Sequence, residues 1–302
     1  MNKKCRLSVV LVSDFEPNHS KSWKNERALI QALADQDIAE PFEVILVESE
    51  QKRDQTVPAY LYHSIPDLKV HYYDSIKSAT LKIYGVSLSS GRYIAVLESD
   101  CVPSKNWLRL LLEVIVNKEW VVASGRTYYG EETTYRRIMN LLHRSWDDHG
   151  RSCETRHISN NGAVYKRQIL EKFPFPDSVT PFLSAQIRNA QIRQEGYRFY
   201  FERAVTMRHT IGGWSFIWDL QRNKGHQKMC SYHRHTFSVM PKLLVSKLKQ
   251  NAQSCRLFGK EYLRWYDFLL LPFFMLAELV PFSVGMVDAI NKVQSIPGSA
   301  YR

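Results

Sequence analysis

Residues 91–108 read GRYIAVLESDCVPSKNWL. The apolar run Tyr93 to Leu97 passes directly into two carboxylates, Glu98 and Asp100, with a proline at 103. An unbroken apolar run of this length, without polar alternation, predicts a strand covered on both faces, as in a parallel sheet. Such sheets bind their ligands beyond the carboxyl ends of the strands. Two unpaired carboxylates there repel each other, and a divalent cation relieves them because it takes hard oxygen ligands and also neutralises a diphosphate. A plain turn capped by Asp100 is the alternative reading of this segment alone.

Working outward, the same grammar recurs. Leu7 to Val12, Phe42 to Val47 and Lys69 to Tyr73 predict strands, and helices are expected at about 24–34 and 79–89. Further on come a helix over 106–117, a strand over Trp120 to Ser124, a less regular charged and aromatic stretch over 127–157, a helix from Pro181 to Glu195 stopped by Gly196, and a strand over Tyr197 to Phe201. Alternating strands and helices of this kind define an α/β fold with a mostly parallel sheet. The residues just past each strand, Ser13 and Asp14, Glu48, and Glu98 to Asp100, are the candidate ligand contacts.

With 302 residues, 44% hydrophobic and 24% charged, the chain can bury a large core, which excludes disorder, collagen-like repetition and a small disulfide scaffold. The 41 basic residues exceed the 30 acidic ones by 11, so an anionic partner is expected: nucleotide phosphate, a membrane surface or nucleic acid. No nucleic-acid module signature appears, and the positive charge is spread rather than striped. Five cysteines without a CxxC pair indicate neither a disulfide framework nor a zinc ribbon and fit a reducing, cytoplasmic compartment. His226, Cys230, His233 and His235 lie close together in sequence, but their spacing matches no standard zinc site. The first apolar run is too short for a signal peptide.

The segment Glu98-Ser99-Asp100, Pro103, Trp107-Leu108 resembles the acid-x-acid region of GT-A-fold glycosyltransferases, specifically the family-2-like group of inverting enzymes that use nucleotide sugars. Other segments resemble that family in the same order: Phe42 to Ser49 its second strand, Lys82, Gly85 and Gly91 its following helix, VVASGRTYY its next strand, Ser159 to Arg167 its acceptor-side segment, and Arg208-His209 its late histidine. The resemblance covers about residues 5–230. It implies that Asp100, with Glu98 and His209, holds Mg²⁺ or Mn²⁺. It also implies that Ser13, Glu16, Glu48, Lys82, Glu98, Asn161 and His209 contact a nucleoside-diphosphate sugar, first of all a UDP-sugar. From the residues alone, Lys82 also fits a solvated helix lysine, Asn160-Asn161-Gly162 a tight turn needing positive φ, and His209 a structural histidine.

The pattern departs at the helix ending near Gly196. The family carries Glu-Asp at its start, the Asp serving as general base; here those positions are Ser184 and Ala185. Asp177 is the first substitute, and Asp147 and Asp148 beside His149 the second. A hexosyl transfer with inversion, to a saccharide or lipid-linked acceptor in cell-surface glycan synthesis, is the expected activity. A degenerate binding or scaffold protein is the alternative. Residues 1–230 are expected to form the glycosyltransferase domain and 231–302 a basic helical tail. In that tail, Phe268 to Val287 is about one bilayer core long but is interrupted by Pro272, Glu278 and Pro281. An interfacial or re-entrant hairpin, or a buried helix pair, is expected there rather than a clean span, setting the chain at the inner face of the cell membrane.

Overall fold

Strand β1 (Leu7–Val12) is buried along its whole length. Its side chains alternate between two cores: Leu7, Val9 and Leu11 join one, Val10 and Val12 the other. This is the two-sided burial expected of a strand with no polar alternation. The computed structural model describes residues 6–12, 23–117, 119–145, 148–177, 181–210, 213–231 and 236–291. The chain forms two compact units, one from the segments up to Thr127 and from His149 to His209, the other from Tyr128 to Asp148 and from Thr210 onward.

The first unit continues from β1 with α1 (Lys24–Ala34), β2 (Phe42–Ser49), α2 (Ala59–Ser64), β3 (Lys69–Tyr73), α3 (Ser78–Leu88), β4 (Tyr93–Glu98), β5 (Cys101–Pro103) and α4 (Trp107–Asn117). Strand β6 (Val122–Tyr128) follows, and the chain returns through β7 (Cys153–Thr155), β8 (Ala163–Lys166), α6 (Arg167–Lys172), α7 (Pro181–Gln194) and β9 (Phe199–His209). Among the described residues these strands make one sheet in the order β3-β2-β1-β4-β8-β6-β9-β5, with β7 on β9. Parallel pairing covers β3, β2, β1 and β4; the β4–β8, β8–β6, β9–β5 and β9–β7 pairs are antiparallel.

Helices cover both faces of the parallel half. Leu29, Ile30 and Leu33 of α1 and Trp107, Leu108, Leu111 and Ile115 of α4 fill one core, while Leu81 and Val86 of α3 fill the other. Each fully buried aliphatic side chain contributes about 1.5–3 kcal/mol. Two strands outrun their sequence limits. Strand β6 continues through Gly125 and Arg126, and β9 continues past Phe201 across the charged Glu202 and Arg203. Pairing at both ends explains β9: Phe199 to Phe201 meet β7, and Met207 to His209 meet β5.

The second unit holds α5 (Thr134–His143), α8 (Trp214–Cys230), α9 (Met240–Tyr262) and α10 (Asp267–Ile290). The hairpin or helix pair expected over 268–287 is replaced by a single 24-residue helix that runs through Pro272 and Pro281. Close packing against α8 holds it straight enough to continue. A side-chain carbon added at Gly225 would lie 1.9 Å from the Phe282 carbonyl oxygen, and one at Gly285 would lie 1.8 Å from that of Arg222, so the two backbones touch where only glycine fits. The Ser283 hydroxyl donates to the Leu279 carbonyl at 2.7 Å, one turn from the backbone hydrogen bond that Pro281 cannot make. By length and composition α10 is apolar enough to cross a membrane.

Candidate active site

The end of β4 and the loop after it gather the charged residues. Glu98 is held by three side chains: Lys82 donates to its carboxylate at 2.5 Å, the Ser78 hydroxyl at 2.8 Å and the Asn161 amide at 2.8 Å, while its own N–H donates to the Asn161 side-chain oxygen at 2.9 Å. Burial opposes ionisation of Glu98, but the Lys82 charge and hydrogen bond, the Ser78 hydroxyl and His209 outweigh it and hold the carboxyl below its ordinary range. The Asn161 clamp depends on the turn that follows it. Gly162 has φ +74°, the conformation the Asn-Asn-Gly reading required, and so aims Asn161 at β4. The turn is present, and it presents the Asn161 side chain to the acidic strand end.

Asp100 lies beyond this clamp and is 3% exposed. Antiparallel pairing of β5 with β9 sets Cys101 opposite His209 and so brings a histidine from over a hundred residues away to the acid pair. His209 Nε2 lies 3.0 Å from Asp100 Oδ2. The Cys101 thiol donates to Asp100 at 3.2 Å and accepts from Asn161 at 3.0 Å. Ligand atoms of Asp100, Cys101 and His209 all fall within 4.8 Å of one another, a spacing that fits one cation. A carboxylate beside an imidazole suits a divalent ion of the Mn²⁺ type, and a carboxylate with water suits Mg²⁺. Burial, with Asp100 and Glu98 adding to it, pushes the Cys101 thiol well up.

The candidate cluster shares Asp100 and His209 with the expected ligand set. Glu98 is committed to Lys82, Ser78 and Asn161, and Cys101 takes the third position in the cluster. Lys82, expected to meet a phosphate, is buried and spent on Glu98. Glu48 ends β2 as expected, yet it is 0% exposed and paired with Lys52 at 3.1 Å. Lys52 also reaches Glu26 at 3.3 Å and stands over the Trp23 ring. Burial tends to lower the Lys52 pKa, but the charges of Glu48 and Glu26 raise it further. Ser13, Glu16 and Asp147 lie outside the described residues.

At the position expected to carry the base, Ser184 is 2% exposed and its hydroxyl accepts from Asn160 at 3.1 Å. Asn160 in turn accepts from Arg188 at 3.4 Å, and that guanidinium lies over the rings of Phe175 and Tyr165. A buried serine held this way serves as a strut for the 158–162 loop and not as a proton acceptor. Asp148 belongs to the helical unit, is buried, and accepts from the Tyr262 hydroxyl at 3.1 Å. Asp177 is exposed and borders a cleft of about 720 Å³ with Ile83, Phe175 and Gln191. Its carbonyl accepts from Lys77 at 3.3 Å, and Lys77 directly precedes the Ser78 that holds Glu98.

The sequence profile described as Glycosyl transferase family 2 matches residues 17–173, more than half of the chain. The chain belongs to glycosyl transferase family 2. No curated protein matches it. Among solved structures, the mannosyltransferase PcManGT from Pyrobaculum calidifontis, in complex with GDP-Man and Mn²⁺, is similar over 96% of this chain and 88% of that one, with TM-score 0.57 and 14% identity. GalNAc-T7 with UDP, GalNAc and Mn²⁺ is similar over 70% of this chain and 45% of that one, with TM-score 0.52 and 12% identity. S. aureus TarS 1–349 in complex with UDP covers 97% of this chain and 95% of its own, with TM-score 0.49 and 14% identity. The first two likenesses establish the fold of this family 2 chain as the expected α/β GT-A architecture.

Three functional residues escaped the sequence reading. Cys101 was legible only as one of five scattered cysteines, although it adjoins Asp100. Ser78 and Arg188 carry no motif, and only the fold brings them to Glu98 and Asn160.

Proposed function

We propose that this family 2 glycosyltransferase moves a hexosyl group from a nucleoside-diphosphate sugar, a UDP-sugar first among donors, to a saccharide or lipid-linked acceptor, with inversion. The observation that carries the reading is the meeting of Asp100 and His209 at the carboxyl end of β4, where sheets of this class bind ligands. The UDP and GDP-Man complexes with Mn²⁺ among its structural neighbours support a divalent cation and a nucleotide sugar at that place. The site belongs to the first unit; in this reading the basic helical tail sets the chain at the inner face of the cell membrane, where lipid-linked glycans are assembled.

The residues then divide the work. Asp100 and His209 hold the cation, Mg²⁺ or Mn²⁺, which supplies charge neutralisation for the departing diphosphate. Asn161 and Lys82 keep Glu98 in place at the edge of the donor pocket, and Glu48 with Lys52 lies at the end of β2, two strands away. An acceptor hydroxyl attacks the anomeric carbon on the face opposite the leaving group. Its oxygen forms the new glycosidic bond while the bond from the anomeric carbon to the phosphate oxygen breaks, and that electron pair leaves with the diphosphate. Asp177 takes the hydroxyl proton; its exposure beside a cleft, and the Lys77 bond to its backbone carbonyl next to the Ser78–Glu98 contact, support that role.

Thermal unfolding of the purified chain with a panel of nucleoside diphosphates, each with and without Mn²⁺, tests the donor site, since a ligand of the native state raises apparent stability. A metal-dependent rise with one nucleotide is expected. Absence of any rise, with a control ligand detected, would favour the second reading, a binding or scaffold protein, which the strut role of Ser184 supports. Asp177→Asn is expected to keep that nucleotide shift while turnover falls about 100-fold or more, the range for loss of a general base. Unchanged turnover would move the base to Asp147 or Asp148.

A further inference from the structure

Helix α10 shows a bare apolar stripe. Leu269, Phe273, Leu276 and Val280 recur at helical spacing and are 75%, 65%, 62% and 55% exposed, and Trp265, just ahead of the helix, is 79% exposed. The three acids of the same helix all turn elsewhere. Asp267 pairs with Arg137, Glu278 with His143 and Lys247, and Asp288 with Arg222. The exposed positions from Trp265 to Val280 therefore hold no charge at all.

Charge is supplied next door. Between Met240 and Tyr266 the sequence carries Lys242, Lys247, Lys249, Arg256, Lys260 and Arg264 against the single acid Glu261. Arg256, Lys260 and Arg264 are exposed, as is Leu257 among them. The Phe268 ring lies 3.5 Å from where a side chain at Gly259 would begin, so the end of α9 abuts the start of α10. Basic side chains with long aliphatic stems thus border an uncharged apolar stripe, which matches the layering of an anionic bilayer surface: phosphates outside, acyl chains below.

The same geometry excludes a span. The exposed stretch Phe268 to Val280 is about 18 Å long at helical rise, against about 30 Å of hydrocarbon. From Pro281 onward the helix is locked to α8 through Gly285 and the Arg222–Asp288 pair. Inserting it across a bilayer would expose Glu278, which is 0% exposed among its partners.

We propose that α10 and the end of α9 dock the chain flat on an anionic lipid bilayer, with Trp265, Leu269, Phe273 and Leu276 entering the acyl boundary and Arg256, Lys260 and Arg264 meeting the headgroups. This deepens the membrane location in the reading above, and it stands or falls separately from the donor site. Co-sedimentation of the full chain is measured with vesicles of phosphatidylcholine alone and with vesicles containing about a third phosphatidylglycerol. Binding at least about tenfold stronger to the anionic vesicles, weakening as salt rises, is the expected result.

The double variant Leu269→Glu/Phe273→Glu changes only exposed side chains. It is expected to lose vesicle binding by about tenfold or more while keeping the melting temperature and the nucleotide-induced shift. Equal vesicle binding by variant and parent would overturn the proposal. So would retention of the parent in membranes through an alkaline carbonate wash, which marks a spanning helix. A parent dimer that the variant dissolves, without vesicle binding by either, would assign the stripe to a second copy of the chain instead. Vesicle binding as expected with no nucleotide shift in any form would leave the docking intact and remove the glycosyltransferase reading.

Discussion

Asp100→Ala is expected to abolish the Mn²⁺-dependent part of nucleotide binding and to lower turnover by about 1,000-fold, or about 4 kcal/mol of transition-state stabilisation. The variant loses the carboxylate that His209 meets at 3.0 Å and that the Cys101 thiol meets at 3.2 Å. It does not remove a structural pair of the kind Glu98 makes, since Lys82, Ser78 and Asn161 all bind Glu98. The unliganded melting temperature should fall, because the buried contacts of Asp100 with His209 and Cys101 are lost, while the chain stays folded. Thermal unfolding with nucleotide, with and without Mn²⁺, separates the two effects. A variant whose nucleotide shift still depends on the metal would remove Asp100 from the site.

Lys247→Met is expected to destabilise the helical unit by about 3–5 kcal/mol, because it leaves a buried carboxylate short of its cation. Glu278 sits within α10 at 0% exposure, with Lys247 at 3.3 Å and a short contact to His143. Burial favours its neutral form, but His143 and Lys247 together hold its pKa down to about 2. In the parent, burial outweighs the pull of Glu278 and lowers the His143 pKa to about 4, so at neutral pH Lys247 is the cation that Glu278 faces. The double variant Lys247→Met/Glu278→Leu should recover most of the loss, as replacing a whole buried pair by apolar groups generally does. The sign with pH follows. Since Glu278 titrates below its ordinary 4.5 in the folded chain, its contribution is present above that pH and is lost as acidity pushes through the folded value. Chemical denaturation from pH 7 down to about pH 2 measures both effects, and a Lys247→Met midpoint equal to the parent's would refute the pairing.

What the sequence disclosed and what it hid follow from the range of the interactions. The parallel half of the sheet was readable because each strand is buried on both faces and so is apolar throughout, as in Leu7 to Val12. Strand β9 was not, because Glu202 and Arg203 break its apolar pattern and pairing at its two ends decides its length. Asp100 and His209 were both marked, but nothing local to either predicted that Cys101 would sit opposite His209. The base position was legible as a gap; only the structure shows Ser184 tied to Asn160 and backed by Arg188. In the tail, two prolines spoke for an interruption. A backbone-to-backbone fit between Gly225 and Gly285 overrode them, and contacts between helices far apart in the chain leave no local signature.

The β5–β9 pairing bears on how the molecule is made. Strands β1 to β4 find their partners among β1, β2, β3, β4 and β8, all of which precede β9, and β5 has no partner in the described chain until β9 arrives with Met207 to His209. Contacts of such long sequence separation form late, since the intervening chain must be ordered first. A nascent chain that has emerged only to residue 200 therefore already owns the acidic strand end but lacks the imidazole that completes it. In the proposed reading, the cation site is therefore complete only once β9 has paired with β5.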